Sequence, residues 1–114
     1  MNIFEEYLVK ITNLILKNQK FLALSNLNNF KGITVETPPP EFNYDLSCNI
    51  SLVLAKINKT SPLELAKKIK DIMIKELKDF ENIEIAGPGF LNMRLSNKSL
   101  ILAINDILKN KKNY

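Results

Sequence analysis

The stretch IEIAGPGFLNMRL, residues 83–95, contains the clearest strand pattern in this 114-residue chain. Apolar residues alternate with other residues on both sides of the Gly87-Pro88-Gly89 turn, which is the period of a β-strand. The stretch therefore predicts a β-hairpin. In its second strand, Leu91, Met93 and Leu95 share one face, and we expect that face to pack on the core.

The segments around the hairpin show the three- and four-residue spacing of amphipathic helices. We predict helices over residues 2–18, from a cap at Asp45 to Ile57, from the capping motif SPLE at 61–64 to Leu77, and over 100–108. GITVE at 32–36 predicts a short strand. The order α-β-α-α-β-β-α predicts an α+β domain, in which about four helices cover a small, mostly antiparallel sheet of three or four strands.

The composition is typical of one globular domain, so we treat residues 1–114 as a single domain: 46% of the residues are hydrophobic and 25% are charged. The sequence contains no run of about 18 apolar residues, which a membrane span would need. It also lacks a secretory signal at its start. A single cysteine, Cys48, fits a reducing compartment. We therefore expect a cytoplasmic protein without a membrane partner.

The charge and the residue types exclude several classes of site. The net charge is +4, and six lysines fall within residues 59–78. Lysine-bearing helices beside the hairpin would attract a polyanion, although a merely solvated helix surface explains the same pattern. Histidine is absent, which excludes His-based triads and His-based metal sites. No phosphate-binding glycine loop is present. We expect no catalytic residues and no metal site in this chain.

The other face of the second hairpin strand carries Phe90, Asn92 and Arg94, and we expect it to be exposed. An aromatic ring is a stacking surface for an unpaired nucleobase, and a carboxamide can both donate to and accept from an adenine edge. Gly87 and Gly89 permit backbone torsions and a close approach that a side chain would obstruct. The structural alternative is that Phe90 packs against a neighbouring element and Asn92 faces solvent.

Three segments, IEIAGPGFLNMRL at 83–95, FNYDLSCNISLVLAK at 42–56 and SPLELAKKI at 61–69, resemble the N-terminal additional domain of bacterial arginyl-tRNA synthetases. The resemblance covers about residues 30 to 110, and its last motif is specific. It implies a domain that contacts the D-loop corner of tRNA(Arg) and adjoins the catalytic domain of the same polypeptide, with no DNA partner. The residues that correspond to the tRNA-binding positions are Phe90 and Asn92, with Gly87, Pro88 and Gly89 shaping the turn and Arg94 as a further candidate.

Two features depart from that family. Tyr44 stands where the family usually has glycine, which predicts a different local turn. The HIGH and KMSK motifs that handle ATP are absent. The resemblance therefore implies a non-catalytic tRNA-binding domain of a larger arginine–tRNA ligase, in which ATP and magnesium belong to the remainder and this domain holds no cofactor. The alternative function is a protein-interaction module that docks another domain or a partner through the Phe90 face. We expect Asn49 to satisfy nearby backbone groups with its amide.

Overall fold

The structure, a computed structural model, describes residues 2–25 and 30–111. Its elements in chain order are α1 (Ile3–Lys17), α2 (Gln19–Leu22), β1 (Val35–Glu36), a 3₁₀ turn (Pro40–Phe42), β2 (Leu46–Cys48), α3 (Ile50–Asn58), α4 (Pro62–Glu76), β3 (Phe80–Ala86), β4 (Phe90–Leu95) and α5 (Asn97–Lys111). The predicted α+β class is confirmed. In the described ranges, no helix is both long and apolar enough to cross a membrane.

The four strands form one antiparallel sheet in the order β1-β2-β4-β3. The predicted hairpin is confirmed: β3 pairs with β4, and Ile83 lies opposite Met93 while Ile85 lies opposite Leu91. Because β4 runs between β2 and β3, it is hydrogen-bonded along both edges. The side chains of β4 therefore project from an inner strand of the sheet.

The helices cover one face of the sheet and enclose the hydrophobic core. Leu91, Met93 and Leu95 are buried on that face, as predicted. Against them pack the buried apolar stripes of the helices, which include Ile11 and Ile15 of α1, Leu54 of α3, and Ile69 and Met73 of α4. Removal of this apolar surface from water is the main stabilising contribution, at about 25 cal/mol per Å².

The start of α4 follows the sequence signal. The Ser61 hydroxyl oxygen accepts a hydrogen bond from the backbone N–H of Glu64 at 3.4 Å, and Pro62 occupies the first turn, where its missing N–H costs nothing. This end of α4 also contacts the hairpin turn, because Gly89 packs directly on Pro62. The cap therefore fixes a helix end that supports the turn.

The predicted start of the helix that runs to Ile57 is wrong, and so is its predicted cap. Residues 46–48 form β2 instead of the first helical turn, and α3 begins at Ile50. Asp45 is not a helix cap: its carboxylate accepts a hydrogen bond from the backbone N–H of Leu95 at 2.8 Å. In the apolar stripe of α5, Leu100 packs partly buried against the core, whereas Ile101 and Ile104 are exposed. The side chains of residues 107 and 108 lie outside the described part.

Candidate functional site

The outer face of the sheet, opposite the helices, carries the predicted site. The register places the side chains of Ser47, Asn92 and Glu84 in one row across β2, β4 and β3. Phe90 lies next to Ala86 in the row nearer the hairpin turn. The segment 37–44, which connects β1 to β2, contacts this face, because residues from the segment and from β4 line one pocket.

That outer-face pocket has a volume of about 350 Å³, at the small end of the range for ligand sites. Phe90, Asn92, Gly87 and Pro88 line it together, so four of the six predicted site residues meet in one place. Phe42, from the end of the 3₁₀ turn, lines the pocket as well. Gly89 and Arg94 do not line the pocket. Gly89 packs on Pro62, and Arg94 makes a hydrogen bond to Asn43.

Phe90 and Asn92 differ in their exposure. Phe90 is 39% exposed, whereas Asn92 is only 3% exposed. The expectation that both are solvent-facing is therefore wrong for Asn92, because it lies on an inner strand between Ser47 and Glu84, under a face that the 37–44 segment partly covers. The site therefore combines an exposed aromatic side chain with a recessed amide, instead of the two exposed side chains that were predicted.

The amide of Asn92 is not used by the fold. Within residues 2–25 and 30–111, no side chain or backbone group makes a hydrogen bond to it, and Ser51 Oγ is the one fully buried side-chain oxygen or nitrogen without a partner. The amide atoms of Asn92 therefore keep contact with the pocket that they line. A buried amide is usually satisfied by hydrogen bonds within the protein. Because no described residue makes such a bond to the Asn92 amide, its donors and its acceptor remain available to a ligand.

The turn is shaped by its two glycines, as predicted. Gly87 has φ +55° and Gly89 has φ +142°, and the Gly89 N–H donates to the Ala86 carbonyl at 3.3 Å. A Cβ on Gly89 would lie 3.2 Å from the Pro62 carbonyl oxygen, whereas one on Gly87 would meet nothing within 4 Å. Gly89 thus permits the close packing of the turn on α4, and this packing fixes the residue before Phe90.

The guanidinium of Arg94 makes its contacts within the protein. Its guanidinium donates to the Asn43 carbonyl at 2.8 Å, lies 4.9 Å from the centroid of the Tyr44 ring, and has Nε 3.8 Å from a Glu81 carboxylate oxygen. These contacts anchor the end of the 37–44 segment to the sheet. Arg94 therefore contributes to the site by holding that segment.

Tyr44 completes the same anchor. Its hydroxyl donates to the Glu84 carboxylate at 2.5 Å and accepts from the Asn82 amide at 3.0 Å. The hydrogen bond to Glu84 raises the pKa of the Tyr44 phenol, since it favours the protonated form. The left-handed residue of this turn is Asn43, with φ 52°. Position 44 therefore does not require glycine, and the side chain of Tyr44 reaches Glu84 and Asn82 of β3.

Asn49 is satisfied by backbone, as predicted. Its Oδ1 accepts from the Thr34 N–H at 2.8 Å, and its Nδ2 donates to the Gly32 carbonyl at 2.9 Å. Although Asn49 lines the pocket, both ends of its amide are engaged. It holds the loop before β1 in place, whereas Asn92 is the unengaged amide of the pocket.

The lysines of α4 do not flank the pocket. Lys67 and Lys68 are exposed on a helix that buries its opposite stripe on the core side of the sheet. They therefore lie on the helical layer, across the sheet from Phe90 and Asn92. Sequence reasoning also missed Phe42 as a lining residue. The signal in the sequence is a large aromatic residue two positions after the run Pro38-Pro39-Pro40.

The chain matches the profile of a family described as "Arginyl tRNA synthetase N terminal domain" over residues 8–95. The chain belongs to this family. It is 37% identical to the arginine–tRNA ligase of Pelagibacter ubique over 114 residues, covering the whole chain and 20% of that protein. It is also 37% identical to the arginine–tRNA ligase of Rickettsia prowazekii over 118 residues, covering the whole chain and 19% of that protein.

A third relative, the arginine–tRNA ligase of Staphylococcus carnosus, is 43% identical over 82 residues, or 72% of this chain and 15% of that protein. The chain thus spans about a fifth of the length of the curated relatives it matches. The residues that match the arginyl-tRNA synthetase N-terminal domain family contain the whole sheet, from β1 to β4, and exclude α5. The family assignment therefore covers every strand that builds the outer-face pocket.

Proposed function

We propose that this chain is the tRNA-recognition domain of an arginine–tRNA ligase and that its outer-face pocket binds an unpaired base at the D-loop corner of tRNA(Arg). Family membership supports the first part. The observation that carries the second part is the pairing of Phe90, an exposed ring, with Asn92, a recessed amide that no described residue engages, in one pocket.

The two side chains are suited to different parts of a base. An exposed ring offers a flat apolar surface, and stacking on it is worth about 1–3 kcal/mol per base, whatever the base. The Asn92 amide has one acceptor and two donors, and it pairs well with the N6 and N7 atoms of adenine. Because the amide is recessed, only the edge of a group that enters the pocket can reach it. Phe90 would supply affinity, and Asn92 would supply discrimination in favour of adenine.

The chemistry of the parent ligase belongs to other domains. Joining arginine to tRNA(Arg) consumes ATP, and we assign ATP, its magnesium and the catalytic residues to the four-fifths of the relatives' length that this chain does not span. The present domain then needs no cofactor. It would add a contact at the D-loop corner that orients the tRNA on the adjoining catalytic domain, in the cytoplasm and without a DNA partner.

Aminoacylation by the full-length ligase tests this function. Phe90→Ala should lower kcat/KM for tRNA(Arg) by about ten- to a hundredfold, which corresponds to the loss of one stacked base. Asn92→Ala should mainly remove the preference for one base at the contacted position. Changing that base in the tRNA should then mask the effect of Asn92→Ala, because the two groups act as a pair.

The folded state is the control for both variants, and their urea midpoints should stay close to that of the wild type. If the Phe90 face docks a protein instead of RNA, the identity of the tRNA base will not change the effect of Asn92→Ala. If Phe90→Ala unfolds the domain by several kcal/mol, as truncation of a core aromatic does, then Phe90 is a packing residue and the proposal fails.

A further inference from the structure

Phe42 is an exposed aromatic residue on a second wall of the outer-face pocket. It ends the 3₁₀ turn, and 46% of its surface is exposed although it is a large apolar side chain. It lines the pocket together with Phe90 and Asn92. The pocket is therefore bordered by aromatic rings from two separate elements, the 37–44 segment and strand β4.

The backbone on both sides of Phe42 is fixed. Before it, three consecutive prolines restrict φ, and Pro38 is buried. The Phe42 N–H donates to the Pro39 carbonyl at 3.1 Å, and the following N–H, of Asn43, donates to the Pro40 carbonyl at 3.2 Å. After it, the Arg94 guanidinium donates a hydrogen bond to the Asn43 carbonyl. A ring presented on such a segment needs little further ordering when a ligand binds, which favours affinity.

The polar character of the pocket favours a base over a phosphate or an acidic peptide. Its described lining contains no lysine or arginine, and its one charged side chain is the carboxylate of Glu36. Anions would be repelled by this lining. An uncharged aromatic ligand with hydrogen-bonding edges matches two rings and the unengaged amide of Asn92.

We propose that Phe42 is a second stacking side chain of this pocket, so that the unpaired RNA segment is held by two aromatic rings, Phe42 and Phe90, and is read by the Asn92 amide that lines the same pocket. This inference rests on the proposed function, because it adds a contact to the same RNA. It assigns affinity to a residue outside the hairpin motif, on the segment that connects β1 to β2.

The test is the dissociation constant of a tRNA(Arg) transcript for the full-length ligase with one substitution at a time. Phe42→Leu keeps apolar bulk and removes the ring, and it should weaken binding by about tenfold, within the range for one stacked base. Phe42→Tyr keeps the ring and should stay within about twofold of the wild type. Phe21→Leu is the matched control, because Phe21 is 61% exposed but lies on α2 in the helical layer, and it should have no effect.

Phe90→Leu, measured in parallel, separates the two proposals. If Phe90→Leu weakens binding and Phe42→Leu does not, the pocket binds RNA through one ring and the role of Phe42 is refuted. If neither substitution changes binding, the proposed function itself fails, and the role of Phe42 falls with it. Circular dichroism and urea midpoints equal to the wild type exclude misfolding, as expected for an exposed side chain. An unfolded Phe42→Leu variant would show that Phe42 is a packing residue, which also overturns the inference.

Discussion

Gly89→Ala should destabilise the domain far more than Gly87→Ala, although both glycines belong to one turn and have positive φ. At Gly87, with φ +55° and no atom within 4 Å of a new Cβ, alanine bears only the left-handed backbone cost of about 1–2 kcal/mol. Lower entropy of the unfolded chain offsets about 0.4–1 kcal/mol of this. The net loss at Gly87 should be about 0.5–1 kcal/mol.

At Gly89 two costs combine. Its φ of +142° lies in a region that side-chain-bearing residues rarely adopt, which costs about 1–3 kcal/mol. A new Cβ would also lie 3.2 Å from the carbonyl oxygen and 3.3 Å from the Cβ of Pro62, so the turn must separate slightly from the start of α4. We expect a net loss of about 2–3 kcal/mol.

Urea unfolding of the two variants measures the difference. With a slope of about 1–3 kcal/mol per M, a loss of 2–3 kcal/mol lowers the midpoint by about 1–2 M, several times the shift expected for Gly87→Ala. Because Gly89 directly precedes Phe90, Gly89→Ala should also weaken tRNA binding, whereas Gly87→Ala should do so less. Equal midpoint shifts for the two variants would refute the role assigned to the contact between Gly89 and Pro62.

Three further outcomes follow from single contacts. Asp45→Ala should cost about 1.5–3 kcal/mol in urea unfolding, because it leaves the Leu95 N–H without the carboxylate that now accepts its hydrogen bond at 2.8 Å; a loss below 0.5 kcal/mol would mean that water replaces it. Ser61→Ala should cost about 0.5–1 kcal/mol, since the cap hydrogen bond to Glu64 is long at 3.4 Å, and it should leave tRNA discrimination unchanged. Burial raises the pKa of the Cys48 thiol to about 12, so iodoacetamide at pH 8 should label it only as fast as the domain opens; labelling at the rate of a free thiol would show that Cys48 is accessible.

The elements with strong local signals were predictable from the sequence. The hairpin follows from the period of two in residues 83–95, and the start of α4 follows from the SPLE motif. In both cases the deciding interactions lie within a few residues along the chain. The side of β4 that faces the core was also correctly predicted, because alternation along a strand assigns its faces.

Strand β2 was not predictable in the same way. Leu46, Ser47 and Cys48 precede an apolar helical stripe, and their spacing continues it. What makes them a strand is pairing with Met93, Asn92 and Leu91, more than 40 residues away. Asp45 was assigned to a helix cap for the same reason, since its partner Leu95 is distant in sequence. In residues 45–48, hydrogen bonds to distant parts of the chain therefore outweigh the local preference for a helix.

The site was predicted in its residues but not in its geometry. Alternation places Phe90 and Asn92 on one face, but it does not show that the 37–44 segment contacts that face and recesses the amide. The position of that segment depends on contacts between residues that are distant in sequence: the Arg94 guanidinium lies over the Tyr44 ring, and the Tyr44 hydroxyl donates to Glu84 of β3. Phe42 belongs to the same segment and lines the pocket as well. The charge pattern predicted lysines beside the hairpin, but Lys67 and Lys68 of α4 lie in the helical layer, on the other side of the sheet from the pocket.

Backbone and side-chain amide NMR of the ¹⁵N-labelled chain, titrated with a tRNA(Arg) transcript, tests most directly whether the outer face is the RNA-binding surface. We expect the largest shift changes at the side-chain amide of Asn92 and at the backbone amides of Gly87, Phe90 and Ser47. The amides of Lys67 and Lys68, on the helical layer, should stay within the background. Changes confined to the surface of α4, with the Asn92 side chain unaffected, would contradict the assignment of the outer-face pocket to tRNA.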